Sequence, residues 1–175
     1  ARHASLHSAF NFISAPNGQA LRLVGTSNFT GTAGGHVVLP GIPVNGSGNF
    51  TISISVFEED ISNLQYGESY ISFAMTVSAP WPLAIKHENF KVSIGGIQTT
   101  LAASDIRNKW KRYVLTKHNN LSTAYVDGIA VGQSLGSIYA VNSNYSAIGR
   151  HWWNNSASGT STRFTGGIDE VRIYD

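Results

Sequence analysis

Between Asn49 and Asp60 the chain reads NFTISISVFEED, and apolar residues alternate with small polar ones through most of it. Phe50, Ile52, Ile54 and Val56 fall on one face of an extended strand, with Thr51, Ser53 and Ser55 on the other. A strand of this kind buries one face only, so it needs a second layer to pack against. The pattern recurs in YISFAMTVS, where Ile71, Phe73, Met75 and Val77 share a face. Further strands are predicted in SAFNFI, QALRLVG, HVVLP, LAIKH, FKVSI, IQTTLA, KRYVLTK, STAYVD, YSAIGR and GGIDEVRIY, each bounded by turn-forming residues. Asp127-Gly128 supplies the positive φ of a tight two-residue hairpin turn. No long amphipathic helix is present, and DIRNKW (105–110) predicts one helical turn at most. About a dozen strands without crossover helices predict an all-β fold, an antiparallel two-sheet sandwich.

At 175 residues the chain fits a single domain, with residues 1–175 forming one unit. It contains no cysteine, which excludes a disulfide framework and a thiolate metal site. The net charge is only +2. The densest basic group, NKWKRYVLTKH with Lys109, Lys111, Arg112 and Lys117, reads as a solvated strand face, so no nucleic-acid partner is expected. No apolar run approaches the roughly 20 residues of a membrane span, and ARHASLH is not a signal peptide. His3 and His7 are four apart, as in a helical metal pair, but a mobile terminus is the expected reading. Sequons stand at Asn28, Asn45, Asn49, Asn120, Asn144 and Asn154. In an Asn- and Ser-rich bacterial chain these are chance.

Three segments in order carry a resemblance: WKRYVLTKHNNLSTAYVDGIAVG, YSAIGRHWW and RFTGGIDEVRIYD. Together they resemble the C-terminal half of laminin G-like domains of the concanavalin A-like lectin/glucanase superfamily. GQALRLVGTSNFTGTAGGHVVLPG resembles the N-terminal strand pair of that family, and residues 57–105 match it least. The resemblance implies a jelly roll. It also implies, as is common in bacteria, a secreted or cell-surface carbohydrate-binding module within a larger multidomain protein. Trp110 takes the position of the family's Trp-led strand and is expected in the core.

Glycoside hydrolysis needs two carboxylates flanking one bond, and on a strand these share a face. The glucanase relatives carry Glu-x-Asp-x-x-Glu on one strand, which this chain lacks. Glu58 and Asp60 in FEED read as a solvated rim pair at a strand end. No enzymatic activity is therefore expected. Oligo- or polysaccharide is the expected partner, with a protein-contacting adhesion module as the alternative.

Flat aromatic rings with amides beside them suit a wet sugar-binding surface. The leading candidate is GRHWWNNSASGTS, read as a long polar loop that starts with Trp152 and Trp153 beside His151, Asn154 and Asn155. Adjacent residues of a strand point oppositely, so one Trp can be exposed and the other buried, or both can cap the sandwich. Trp81, held extended between Pro80 and Pro82, is either a second platform or a plug; Lys86, His87 and Glu88 just beyond it could read hydroxyls or an acidic sugar. Tyr66 is a further loop aromatic.

In the closing strand, period two puts Asp169 on the apolar face with Val171 and Ile173, and Glu170 opposite with Arg172 and Tyr174. A carboxylate on an apolar face needs a partner. The resemblance implies a structural calcium (Ca2+) near this strand, with Asp169 as ligand. The alternative is a carboxylate that caps backbone N–H groups.

Overall fold

The computed structural model describes residues 5–7, 10–25, 35–39, 48–59, 68–75, 83–88, 91–136, 141–149, 151–153, 156–161 and 164–174. In chain order the strands are β1 (Ser5–His7), β2 (Phe10–Ala15), β3 (Gly18–Leu23), β4 (His36–Leu39), β5 (Phe50–Glu58), β6 (Glu68–Met75), β7 (Leu83–Glu88), β8 (Lys91–Ile94) and β9 (Ile97–Thr100). After the helical turn α1 (Ala103–Ile106) come β10 (Trp110–His118), β11 (Leu121–Val126), β12 (Ile129–Leu135), β13 (Val141–Ile148), β14 (His151–Trp153), β15 (Ser156–Ser161) and β16 (Gly166–Tyr174).

One sheet has the order β1-β4-β13-β6-β7-β8-β9, and the other β12-β11-β10-β5-β16-β3-β2. Their ladders are antiparallel. This is the expected jelly-roll sandwich. Phe50, Ile52, Ile54 and Val56 of β5 point inward and meet Leu115 and Tyr113 of β10 and Ile71, Phe73 and Ile85 of the facing sheet in one buried cluster. Asp127 and Gly128 adopt φ of 49° and 83°, the expected hairpin turn. Asp127 also accepts from the Arg112 amide at 2.9 Å and the Lys111 ammonium at 2.7 Å, which ties the turn to β10.

The structure corrects several expectations. Ser5–His7 is strand β1, paired to β4, where a mobile terminus was predicted; pairing supplies the order. The basic group of β10 is not one solvated face. Lys117 is buried and donates to the carbonyls of Gly48 (3.2 Å) and Asn119 (2.6 Å), while Arg112 lies on the outer face. Trp110 pairs with Phe57, which points away from the sandwich interior, so it is half-buried on the outside of the sheet and not in the core.

The closing strand departs from period two. Asp169 pairs with Ser55 and Arg172 with Ser53, so three steps on β16 match two on β5. That is a β-bulge. Glu170 takes a φ of 48° there. Ile168 before the bulge and Ile173 after it both turn toward the core, and Asp169 faces outward with Ser55. The regular alternation that put Asp169 on the apolar face does not hold across the bulge.

Candidate functional site

One end of the sandwich concentrates the chemistry. Glu58 is the last residue of β5 and continues its inward set, so its carboxylate enters the space between the sheets and is only 1% exposed. Tyr70 donates its hydroxyl to Glu58 Oε2 at 2.5 Å. The register of β6 against β7 shifts between Ser69 and Ile71, so Tyr70 is the extra residue of a bulge, a device that re-aims a side chain. His87 of β7, also 1% exposed, places Nδ1 2.8 Å from Oε1 and 3.2 Å from Oε2 of the same carboxylate.

A carboxylate only accepts, so Nδ1–H is the donor and the imidazole is fixed in orientation. His87 Nε2 is buried and has no hydrogen-bond partner among the described residues. Tyr113 stacks on Tyr70 with ring centroids 5.3 Å apart, and Phe164 meets Tyr70 edge-on at 5.5 Å. Burial, and then the nearby Glu58 charge, push the Tyr113 phenol well above its ordinary value. A contact with Tyr70 opposes this without meeting hydrogen-bond geometry. The carboxylate, imidazole and phenol clasp β5 of one sheet to β6 and β7 of the other.

Glu58 is thus not a rim residue, and His87 does not face a ligand at the surface; both are interior. Asp60 lies outside the described residues, as do Trp81, Tyr66, Asn154 and Asn155.

The hairpin of β14 and β15 rises from this same end. Gly149, just after β13, donates to the Tyr70 carbonyl at 2.9 Å, and β14 then runs against β6. His151, Trp152 and Trp153 form β14, which pairs with β15 (His151 with Ser161, Trp153 with Ser156). The expected long polar loop is therefore a two-stranded ribbon. The backbone of these three residues is placed; their side chains lie outside the described set. The connection that contains Tyr66 enters β6 at Glu68, the end where the hairpin stands. The connection that contains Trp81 leaves β6 at Met75, about 24 Å along the strand. The two sequence candidates thus start from opposite ends of the sheet.

At the bulge of β16, Asp169 Oδ1 accepts the Glu170 amide at 2.8 Å, which is the capping arrangement. Glu170 gathers donors from Arg172 (3.1 Å), Asn17 (3.3 Å) and Arg112 (3.4 Å). Among the described residues no group of three or more His, Cys, Asp or Glu could hold a metal ion. The one carboxylate next to Asp169 is engaged by cations.

One glycine seats the end of the sandwich. A Cβ on Gly166, whose φ is 154°, would lie 2.0 Å from the Phe57 carbonyl oxygen, so no other residue fits where β16 meets β5. Phe164, two residues earlier, is fully buried against Tyr70. A family comparison matches residues 30–175. The chain belongs to the concanavalin A-like lectin/glucanases superfamily, as a laminin G-like member. None of the curated proteins matches it in sequence.

Solved structures share the fold at low identity. Domain 4 of AbnA, a GH43 extracellular arabinanase from Geobacillus stearothermophilus solved with arabinotriose, is 15% identical with a TM-score of 0.63, over 98% of this chain and 82% of that one. The binding domain of botulinum neurotoxin DC, solved with rat synaptotagmin II, is 14% identical with a TM-score of 0.68, over 99% of this chain and 43% of that one. A Trypanosoma rangeli sialidase mutant with trans-sialidase activity is 16% identical with a TM-score of 0.62; this chain covers 27% of it. No helix among the described residues is long and apolar enough to cross a membrane.

Proposed function

We propose that this chain is a non-catalytic carbohydrate-binding module of a secreted polysaccharide-degrading enzyme or surface protein, and that it binds oligosaccharide at the β14–β15 hairpin. The observation that carries the reading is its likeness, over 98% of its length, to a whole domain of an extracellular arabinanase solved with arabinotriose. The hairpin supports the choice of site. Its first strand is His151-Trp152-Trp153, followed in sequence by Asn154 and Asn155, and that strand leans on β6. Aromatic rings with polar tips and amide neighbours are what a sugar's C–H face and hydroxyls require.

The non-catalytic part rests on the carboxylates that are described. Glu58 is buried in the clasp, Glu59 is paired with Arg22, and Glu170 is engaged by Arg112 and Arg172. No two of them flank an open site with the separation that glycoside hydrolysis uses. A second reading, an adhesion module that contacts protein, is favoured by the neurotoxin binding domain solved with synaptotagmin II.

Calorimetric titration of the chain with neutral oligosaccharides, arabinotriose first, decides between the two. Saccharide binding that Trp152→Ala or Trp153→Ala weakens by about 1 to 3 kcal/mol, without loss of fold, supports the module and its site. Absence of binding across a broad glycan array would leave the protein-contacting reading. Release of reducing sugar by the chain alone would overturn the non-catalytic assignment.

A further inference from the structure

We infer that the outer face of the second sheet carries another saccharide platform, centred on Trp110 and suited to a neutral sugar chain; this rests on the carbohydrate-binding reading above. Trp110 pairs with Phe57 and shares its outward direction. Its ring atoms Cη2 and Cζ2 lie 2.9 and 3.2 Å from where a Cβ on Gly167 would stand. Gly167 belongs to β16, which is separated from β10 by β5. Two strand spacings are about 10 Å. A tryptophan covers that distance only if its indole reaches across the sheet instead of standing out from it.

Gly167 therefore provides the seat, because any side chain there would meet the ring and also Ile13 Cδ1, which lies 2.8 Å from the same point. Phe57 supports it from the side, with centroids 5.6 Å apart and planes tilted by 45°. One side of the indole rests on the sheet, and the residue as a whole is only half-buried. A ring held this way loses little freedom when a sugar stacks on it.

The groups around the ring specify the ligand class. Arg22, opposite Gly167 in the ladder, makes a two-point pair with Glu59 at 2.5 and 2.7 Å. Arg112, two residues along β10 from Trp110, is held by Ser53 at 3.2 Å and Glu170 at 3.4 Å. Arg22 is held by Glu59, and Arg112 and Arg172 share Glu170, so the guanidiniums of the patch, one charge in excess, are all already engaged by carboxylates. What it offers is positioned donors and acceptors beside an aromatic face, which read hydroxyl groups.

The test follows the four indole Nε1–H resonances of the intact chain, assigned with single Trp→Phe variants, during titration with arabinotriose, xylotriose, cellotriose and trigalacturonate. We expect the Trp110 resonance to move with at least one neutral trisaccharide, in the wild type and in the Trp152→Ala/Trp153→Ala double variant. Arg112→Ala, checked for an unchanged fold by circular dichroism, should weaken that response several-fold. Trp110→Ala, added to the Trp152→Ala/Trp153→Ala double variant, should weaken the calorimetric affinity for that trisaccharide about 10-fold or more, within the range that stacking supports. Movement of the Trp152 and Trp153 resonances with Trp110 still would overturn this platform and leave the hairpin site standing. An equal response to trigalacturonate would overturn the neutral class. Four unmoved resonances and no calorimetric binding would overturn the carbohydrate reading itself, and the platform with it.

Discussion

Replacing Glu58 with alanine tests whether the buried clasp holds the two sheets together. The substitution removes one acceptor that serves two donors, the Tyr70 hydroxyl at 2.5 Å and His87 Nδ1–H at 2.8 Å. A hydrogen bond to a charged group contributes about 1.5 to 3 kcal/mol, so the pair accounts for about 3 to 6. Removal of one partner from a buried ionic cluster typically costs about 3 to 5 kcal/mol, because the other partners stay desolvated without compensation. The two routes agree, and the loss is a large share of the roughly 5 to 15 kcal/mol that stabilises an ordinary domain. At about 2 to 4 °C per kcal/mol for a chain of this size, the melting temperature should fall by about 6 to 20 °C.

Tyr70→Phe removes one of the two bonds and should cost about half as much. Because the two residues share one interaction, the double variant Glu58→Ala/Tyr70→Phe should be only slightly worse than Glu58→Ala, a coupling above about 1 kcal/mol. Urea melts followed by circular dichroism supply all four corners of the cycle. A Glu58→Ala loss below about 1 kcal/mol, or strictly additive variants, would mean that the carboxylate behaves as a solvated rim group and the clasp argument is wrong.

Three further outcomes are expected. Burial and the Glu58 charge raise the Tyr113 phenol, so its protonated form favours the folded state; that contribution is complete below about pH 10 and is lost as pH climbs above it, and Tyr113→Phe should flatten the alkaline fall in melting temperature. An alkaline profile identical in the variant would count against it. Gly166→Ala should cost on the order of 3 kcal/mol or more, since its Cβ would sit 2.0 Å from a carbonyl oxygen; a loss under 1 kcal/mol by chemical denaturation would show that β16 can shift aside. Asp169→Ala should destabilise the chain equally with and without chelator, as loss of a cap does; a wild-type melting temperature that rises with calcium and a variant that ignores it would make Asp169 a calcium ligand instead.

Where the ladder is regular, the sequence was sufficient. Period two on β5 selected Phe50, Ile52, Ile54 and Val56, and all four are buried. The same parity, carried one step further, points Glu58 inward, and from Ile85 it points His87 inward as well. Their place at strand ends and their charge suggested solvent, but partners on the facing sheet override that preference, and no single strand reveals them. On β10, parity groups Trp110 with Arg112 rather than with Tyr113 and Leu115, so its outward position was also legible. Two features were not. The bulge at Glu170 has no glycine or asparagine to mark a positive φ, so alternation was extended through a point where it fails. The strand β15 reads SASGTS, with no aromatic and only Thr160 as a β-branched residue to mark it, and it is seen only through its pairing with β14, which lies against β6.

Within the closing segment, Phe164 and Gly166 report packing. Phe164 fills the end of the core against Tyr70, and Gly166 admits the Phe57 carbonyl. Asp127, in the family's Tyr-Val-Asp-Gly, ties a turn to β10. Phe164 and Gly166 are buried, out of a ligand's reach. A chain can keep all of them and still exchange every residue that touches a partner, which is how an arabinanase domain and a neurotoxin binding domain share this fold with it at 15% and 14% identity. Ligand choice must then lie in positions that packing leaves free. On the reading proposed above those are the β14–β15 hairpin, which adds no strand to either large sheet, and the outer face around Trp110. Substitutions at Trp152, Trp153, Arg112 or Arg22 should alter binding with little change in melting temperature, and substitutions at Phe164, Gly166 or Glu58 should do the reverse.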